Sequence, residues 1–175
     1  MVTITISGSP GSGTTTAALL LEKKTKLKYV YSGDIFRNMT KKYNMSLEEF
    51  GKYCEEHRKI DEELDKNQLE ILQKGNVIVE GRIAGWIAYQ NKIPAIKVLL
   101  TADIKTRAKR IVKREKGSVQ KRKQEIITRE KSEAVRYKNY YNIDIGDTSI
   151  YDLVIDSSNK TPEEIVSVII STIKK

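Results

Sequence analysis

The sequence predicts an α/β fold, a five-stranded parallel sheet flanked by helices. Three observations carry that expectation. Short β-branched or apolar runs recur at 2–7, 27–31, 77–79, 96–100 and 153–155, with stretches of helical period between them. The run at 77–79 is continuously apolar and that at 96–100 is apolar apart from Lys97, instead of alternating, the pattern of strands buried on both faces. The first run passes through a glycine-rich turn into a helix, and strands that alternate with helices form parallel sheets covered on both sides. At 175 residues the chain has room for one core and small insertions, and it reads as a single domain over 1–175.

The elements follow in order. After the first strand and Gly8, residues 14–24 put Ala17, Ala18, Leu20 and Leu21 on one helix face. The second strand leads into Ser32, Gly33 and Asp34, then a helix carrying Phe36 and Met39. Ser46 with Glu49 three residues later is a capping-box signature, so a helix starts at Leu47 and runs toward His57. Another covers 60–73, which makes 35–73 an all-helical insertion. Gly75-Asn76 turns the chain into the third strand, and Pro94 precedes the fourth. Asp103 caps a helix to Glu115, where Lys116-Gly117 interrupts it, and 119–140 is charged but helical in period. After the last strand, Thr161, Pro162, Glu163 and Glu164 supply a cap, a first-turn proline and acids at the positive end of a final helix.

Composition narrows the functional classes. Apolar residues at 39% and charged ones at 31% exclude a disordered chain and a membrane-embedded one. A formal charge of +9 favours an anionic partner, polymer or small molecule. The single cysteine, Cys54, cannot form an internal disulfide and has no metal-ligand spacing around it. With no basic and apolar leader at the N-terminus, the chain reads as cytoplasmic, and nothing calls for more than a monomer.

Chemistry concentrates at the predicted strand ends, where ligands of open parallel sheets bind. Gly8, Ser9, Pro10, Gly11, Ser12, Gly13, Thr14 and Thr15 match a phosphate-binding loop at both framing glycines and at the helix-starting hydroxyl. Glycines let backbone N–H groups turn toward phosphate oxygens, the helix start adds its positive end, and the Thr15 hydroxyl can bind magnesium. Thr14 stands where such loops carry lysine, so a neighbouring arginine must supply that charge or transfer is inefficient. Glu80 closes the third strand and can hold a metal through water or pair with Arg82. Asp34 can orient a ribose or base, or cap its helix.

Arginines recur beyond the strand ends. Arg37 follows Ser32-Gly33-Asp34, Arg82 follows Glu80-Gly81, and Arg107, Arg110 and Arg114 share one helical stripe. Arg129 and Arg136 lie on the next helix with Glu133 between them. Two converging basic faces suit phosphoryl transfer between nucleotides under a lid that excludes water, with Gly117 as its hinge. A solvated charged face is the structural alternative. Tyr137, Tyr140, Tyr141 and Trp86 can stack on a base or fill a core.

With the glycine loop and residues 32–37, 50–57, 75–82, 129–141 and 148–158 in view, the chain resembles the archaeal-type cytidylate kinases over essentially its whole length. That resemblance implies a P-loop kinase fold of the adenylate-kinase branch, with the 35–73 insertion holding the nucleoside monophosphate and a lid at about 113–133. It implies ATP and Mg2+ on the loop from Gly8 to Thr15, with Thr16 beside it, and Thr15 and Glu80 at the metal. Ser32, Gly33, Asp34, Arg37, Gly81, Arg82 and Ser132 are implied on the CMP or dCMP side, and Arg110, Arg114, Arg129 and Arg136 at the transferring phosphates. The implied reaction is ATP plus CMP or dCMP giving ADP and the diphosphate. Another nucleoside monophosphate kinase is the nearest alternative. A nucleotide-switched RNA-binding protein is a third and less expected class, which needs a continuous basic stripe instead of a basic cleft.

Overall fold

The computed structural model describes residues 2–173. Five strands, β1 (Ile4–Gly8), β2 (Lys28–Tyr31), β3 (Val77–Glu80), β4 (Ile96–Thr101) and β5 (Leu153–Asp156), form one sheet in the order β2-β3-β1-β4-β5. Every pairing is parallel, with Ile6 opposite Glu80, Tyr31 opposite Glu80 and Thr101 opposite Asp156. The carboxyl ends therefore share one edge.

Side-chain alternation builds a core on each face. Ile4 and Ile6 of β1 pack with Ile78 and Leu100 against α1 (Thr14–Thr25) and α8 (Pro162–Ile173). On the opposite face Val77 and Val79 meet α4 (Arg58–Lys74), α5 (Ala84–Gln90) and the end of α7 (Val119–Tyr141). Burying an aliphatic side chain of this size contributes roughly 1.5–3 kcal/mol, so these two layers supply most of the driving force.

Between β2 and β3 run α2 (Ser32–Lys42), α3 (Leu47–Glu56) and α4. Their own small core is Phe50, Cys54 and Ile60, with Phe36 packed edge-on against Phe50 at 4.9 Å. The Ser46–Glu49 capping box forms as its spacing predicts, at 3.1 and 2.8 Å. Between β4 and β5, α6 (Ile104–Glu115) and α7 make a helical hairpin closed by Ala108, Ile111 and Ile126. Asp103 caps α6 by accepting from the Thr106 N–H at 2.8 Å, and Thr161 and Glu164 bond reciprocally at the start of α8.

Two features differ from the sequence expectation. Residues 32–34 form the first turn of α2 instead of a loop before it, because Ser32 follows Tyr31 directly into the helix. Helix α5 was not foreseen: Ala84, Gly85, Trp86, Ile87 and Ala88 are buried in succession, so no polar face marks a period. Trp86 is thereby a core residue, set edge-on to Tyr89. Among the described residues no helix is long and apolar enough to cross a membrane.

Candidate active site

Loops at the carboxyl edge of the sheet enclose a cleft of about 600 Å³, and every residue from Gly8 to Thr16 lines it. Backbone geometry explains the glycines. Gly11 and Gly13 have φ of 84° and 93°, a left-handed conformation that glycine adopts without steric cost, and Gly13 is the N-cap of α1. A Cβ on Gly8 would stand 2.6 Å from the Leu100 carbonyl oxygen, and one on Gly11 2.7 Å from that of Arg107. The glycines thus let the loop pack closely on β4 and α6 while the positive end of α1 lies at the cleft.

Glu80, at the end of β3, is the polar hub beneath this loop. Its Oε1 accepts from the hydroxyls of Thr14 at 2.6 Å and Thr15 at 2.8 Å, and its Oε2 from the Tyr29 hydroxyl. Burial and the Glu80 carboxylate both push the Tyr29 phenol up, so it stays a donor. Thr14 therefore uses the lysine position to hold an acid in place. Of the two readings for Glu80, pairing with Arg82 is not what forms, because Arg82 has turned to another acidic partner.

That partner is Glu133. Arg82 Nε donates to Glu133 Oε2 at 2.7 Å, Arg82 Nη1 reaches Ser9 Oγ at 3.1 Å, and Arg129 Nε donates to Glu133 Oε1 at 2.8 Å. Burial works against the charge of Glu133, yet Arg129 and Arg82 hold its carboxyl at about 2. Arg110 donates to the Ser157 hydroxyl at 2.9 Å and carbonyl at 2.6 Å, and Ser157 Oγ donates to the Ser12 carbonyl at 2.7 Å. Helix α6 is thereby tied to the loop. Arg136 lies over the rings of Phe36 and Tyr137, 5.6 Å from each centroid, and Arg37 lies 5.6 Å over Tyr31.

Arg37, Arg82, Arg110, Arg114, Arg129 and Arg136 all line this one cleft, as do Ser32, Gly33, Glu80 and Gly81. Arg107 does not: it is buried against Glu130 at 2.8 Å and the Ala102 carbonyl at 3.0 Å. Asp34 and Ser132 are also outside the lining. Asp34 is exposed in the first turn of α2, and Ser132 faces α3, where a Cβ on Gly51 would stand 3.5 Å from its hydroxyl. Tyr140 ties α7 to the end of α3 through the carbonyls of Cys54 and Glu55, at 2.7 and 2.6 Å. Residues 113–133 comprise the end of α6, a turn and the first part of α7. In that turn Arg122 grips the carbonyls of Glu115 and Lys116 and ion-pairs with Glu125 at 2.6 Å.

The sequence reading gave no site role to Tyr29, Asp65, Gln68, Glu133 or Ser157. Asp65 and Gln68, spaced three apart, line the cleft from α4, a helix read only for its apolar face. The spacing of Glu133 between two arginines was the one usable signal for its role.

A model of the cytidylate kinase-like family matches residues 3–159. The cytidylate kinase of Methanocaldococcus jannaschii is 47% identical over 171 residues, 97% of this chain and 96% of its own length. That of Pyrococcus horikoshii is 47% identical over 166 residues, 95% of this chain and 85% of its own. Among solved structures, an uncharacterized protein from Eubacterium ventriosum superposes with a TM-score of 0.72 at 19% identity, covering 100% of this chain and 99% of that one. Shikimate kinase from Bacteroides thetaiotaomicron superposes at 0.63 with 14% identity, covering 99% of each chain. These structural likenesses show the P-loop kinase fold. Identity near one half, sustained along almost the entire chain on top of the family match, makes the assignment: the chain belongs to the cytidylate kinase-like family.

Proposed function

We propose that this cleft transfers the γ-phosphoryl group of ATP to the phosphate of CMP, and of dCMP, by direct in-line displacement. The carrying observation is convergence: six arginines from α2, the β3 end, α6 and α7 line the same cleft as the glycine loop. An RNA-binding surface would spread such charges along an exposed stripe.

ATP takes the loop side, where the backbone N–H groups of the glycine loop and the start of α1 donate to its phosphate oxygens. CMP takes the opposite wall, with Arg37 and Arg82 on its phosphate and Ser32, Gly33 and Gly81 along its body. An acceptor phosphate oxygen attacks the γ-phosphorus while the bond to the β–γ bridging oxygen breaks and ADP leaves. Charge spreads over the transferring group, so Arg110, Arg114, Arg129 and Arg136 act by electrostatic stabilisation, and no covalent nucleophile is needed. Arg82 reaches the loop hydroxyl of Ser9 and bonds Glu133, contacts that support a position for its charge between donor and acceptor sides. It is the residue that compensates for the absent loop lysine.

The donor set fits a magnesium ion. Thr15 Oγ1 and Glu80 Oε1, hydrogen-bonded at 2.8 Å, are the oxygens that would hold it, since Mg2+ is commonly bound by one carboxylate and substrate phosphates. Bound there, the ion would neutralise phosphate charge as transfer proceeds. Thr14 and Tyr29 keep the Glu80 carboxylate facing the loop.

The test is a phosphoryl-transfer assay with ATP and magnesium against CMP, dCMP, UMP, AMP and GMP. The expected result is that CMP is the best acceptor and that dCMP is also phosphorylated. No transfer to any of them, together with salt-sensitive RNA binding, overturns the proposal.

A further inference from the structure

The wall opposite the glycine loop holds a polar group that the reaction above leaves unused. Gln68 of α4 and Ser32 of α2 are 6% and 8% exposed and both line the cleft. Gln68 Oε1 and Ser32 Oγ have no hydrogen-bond partner among the described residues. They converge on one spot, since a Cβ on Gly81 would stand 2.6 Å from Gln68 Oε1 and 3.0 Å from Ser32 Oγ. Buried polar atoms are nearly always satisfied, so two orphans side by side in a binding cleft call for a ligand that satisfies both.

The orientation of Gln68 is set from behind. Its Nε2 donates to Asp65 Oδ1 at 3.2 Å, which leaves Oε1 as the atom turned toward Gly81. The cleft wall therefore offers a carbonyl acceptor next to a hydroxyl that can donate. Cytosine presents the complement, an exocyclic amine beside the ring acceptor N3. Uracil presents the reverse, a carbonyl beside an N–H, and would set two acceptors against each other at Gln68.

From this juxtaposition we infer that Gln68, positioned by Asp65, reads the exocyclic amine of the acceptor base, with the Ser32 hydroxyl on the adjoining ring nitrogen. The inference rests on CMP occupying the wall assigned to it above. It makes Gln68 a specificity-determining residue and Asp65 a positioning residue. The pair separates amino from oxo bases; adenine also carries an amine beside a ring nitrogen, so ring size is discriminated elsewhere.

The experiment compares kcat and KM for CMP and UMP, with ATP as donor, in the wild type and in Gln68→Met and Asp65→Asn. Gln68→Met removes the acceptor at nearly constant length and lowers the CMP-to-UMP ratio of kcat/KM by at least about tenfold, with the KM for ATP unchanged. Asp65→Asn frees the amide to turn its NH2 outward and lowers the same ratio, part of the change being a gain with UMP. Equal losses with CMP and UMP in both variants mean a purely structural role and overturn the inference while leaving the kinase reading intact. A wild type that transfers nothing to CMP overturns the reading beneath it, and the inference with it. Should Gln68→Met fold poorly, shown by lost ATP binding, Asp65→Asn decides by the same ratio.

Discussion

Glu133 carries two guanidinium groups on one buried carboxylate. Replacing it by glutamine removes the anion that Arg82 and Arg129 share, leaving Arg82 only the longer pair with Glu130 at 3.8 Å, and destabilisation of about 3 kcal/mol is expected at neutral pH in urea denaturation. The acid behaviour follows from the sign of the shift. Its carboxyl is held at about 2 against an ordinary value of 4.5, so below 4.5 the unfolded chain takes a proton that the folded chain refuses. The stability it contributes is complete above that window and is lost as pH falls through it. Glu133→Gln flattens this part of the stability profile, and denaturation curves between pH 2 and 5 check it. Thr14 makes a second point at this scale. A lysine there would pair with Glu80 and draw it from Thr15, so Thr14→Lys is expected to lower turnover about tenfold, equivalent to ~1.4 kcal/mol in the barrier. Single-turnover rates with ATP and CMP measure it; an increase would contradict the role given to Glu80. The missing lysine was legible in the sequence as a departure. What replaced it was not, because Thr14 and Glu80 are 66 positions apart and only the pairing of β1 with β3 brings them together.

Local signals were legible at three helix starts where a side chain bonds its own helix end, though the Ser118 cap of α7 went unread. Ser46, Asp103 and Thr161 all cap as their spacing predicts. Ser46→Ala removes one half of a capping box on α3 and is expected to cost ~1 kcal/mol by denaturant titration. Helix α5 escaped notice for the opposite reason: a segment buried all round carries no amphipathic period. The α6–α7 hairpin shows what a glycine suggests and what its surroundings decide. Gly117 has φ of 97°, suited to a hinge, but Arg122 holds the carbonyls of Glu115 and Lys116 from across the turn. Arg122→Ala is expected to raise amide exchange several-fold in residues 113–122 while exchange in the sheet stays as it was, because exchange reads local opening separately from global unfolding.

Across the whole molecule, the parallel order of five strands is what turns scattered motifs into one site. The glycine loop, Ser32, Glu80 and the β4–α6 junction come from distant stretches of sequence, yet parallel pairing puts all their strand ends on a single edge. This much was legible from alternation of strands and helices alone. The division of labour among the arginines was not, since the same helical stripe contains Arg107, tied to Glu130, and Arg110, facing the cleft. A net charge of +9, much of it turned into the cleft, predicts that nucleotide binding stabilises the fold. ATP at 100 times its dissociation constant is expected to add ~2.7 kcal/mol, read as a rise in thermal midpoint that shrinks as salt weakens binding. The small core of the helical insertion offers its own gauge of motion. Cys54, the only thiol in the chain, is fully enclosed with Phe50 and Ile60, so a disulfide reagent can reach it only when that core parts. The labelling rate of the unmodified protein is therefore a stopwatch on the insertion, and the slowing produced by an acceptor nucleotide would clock how firmly the substrate keeps it shut.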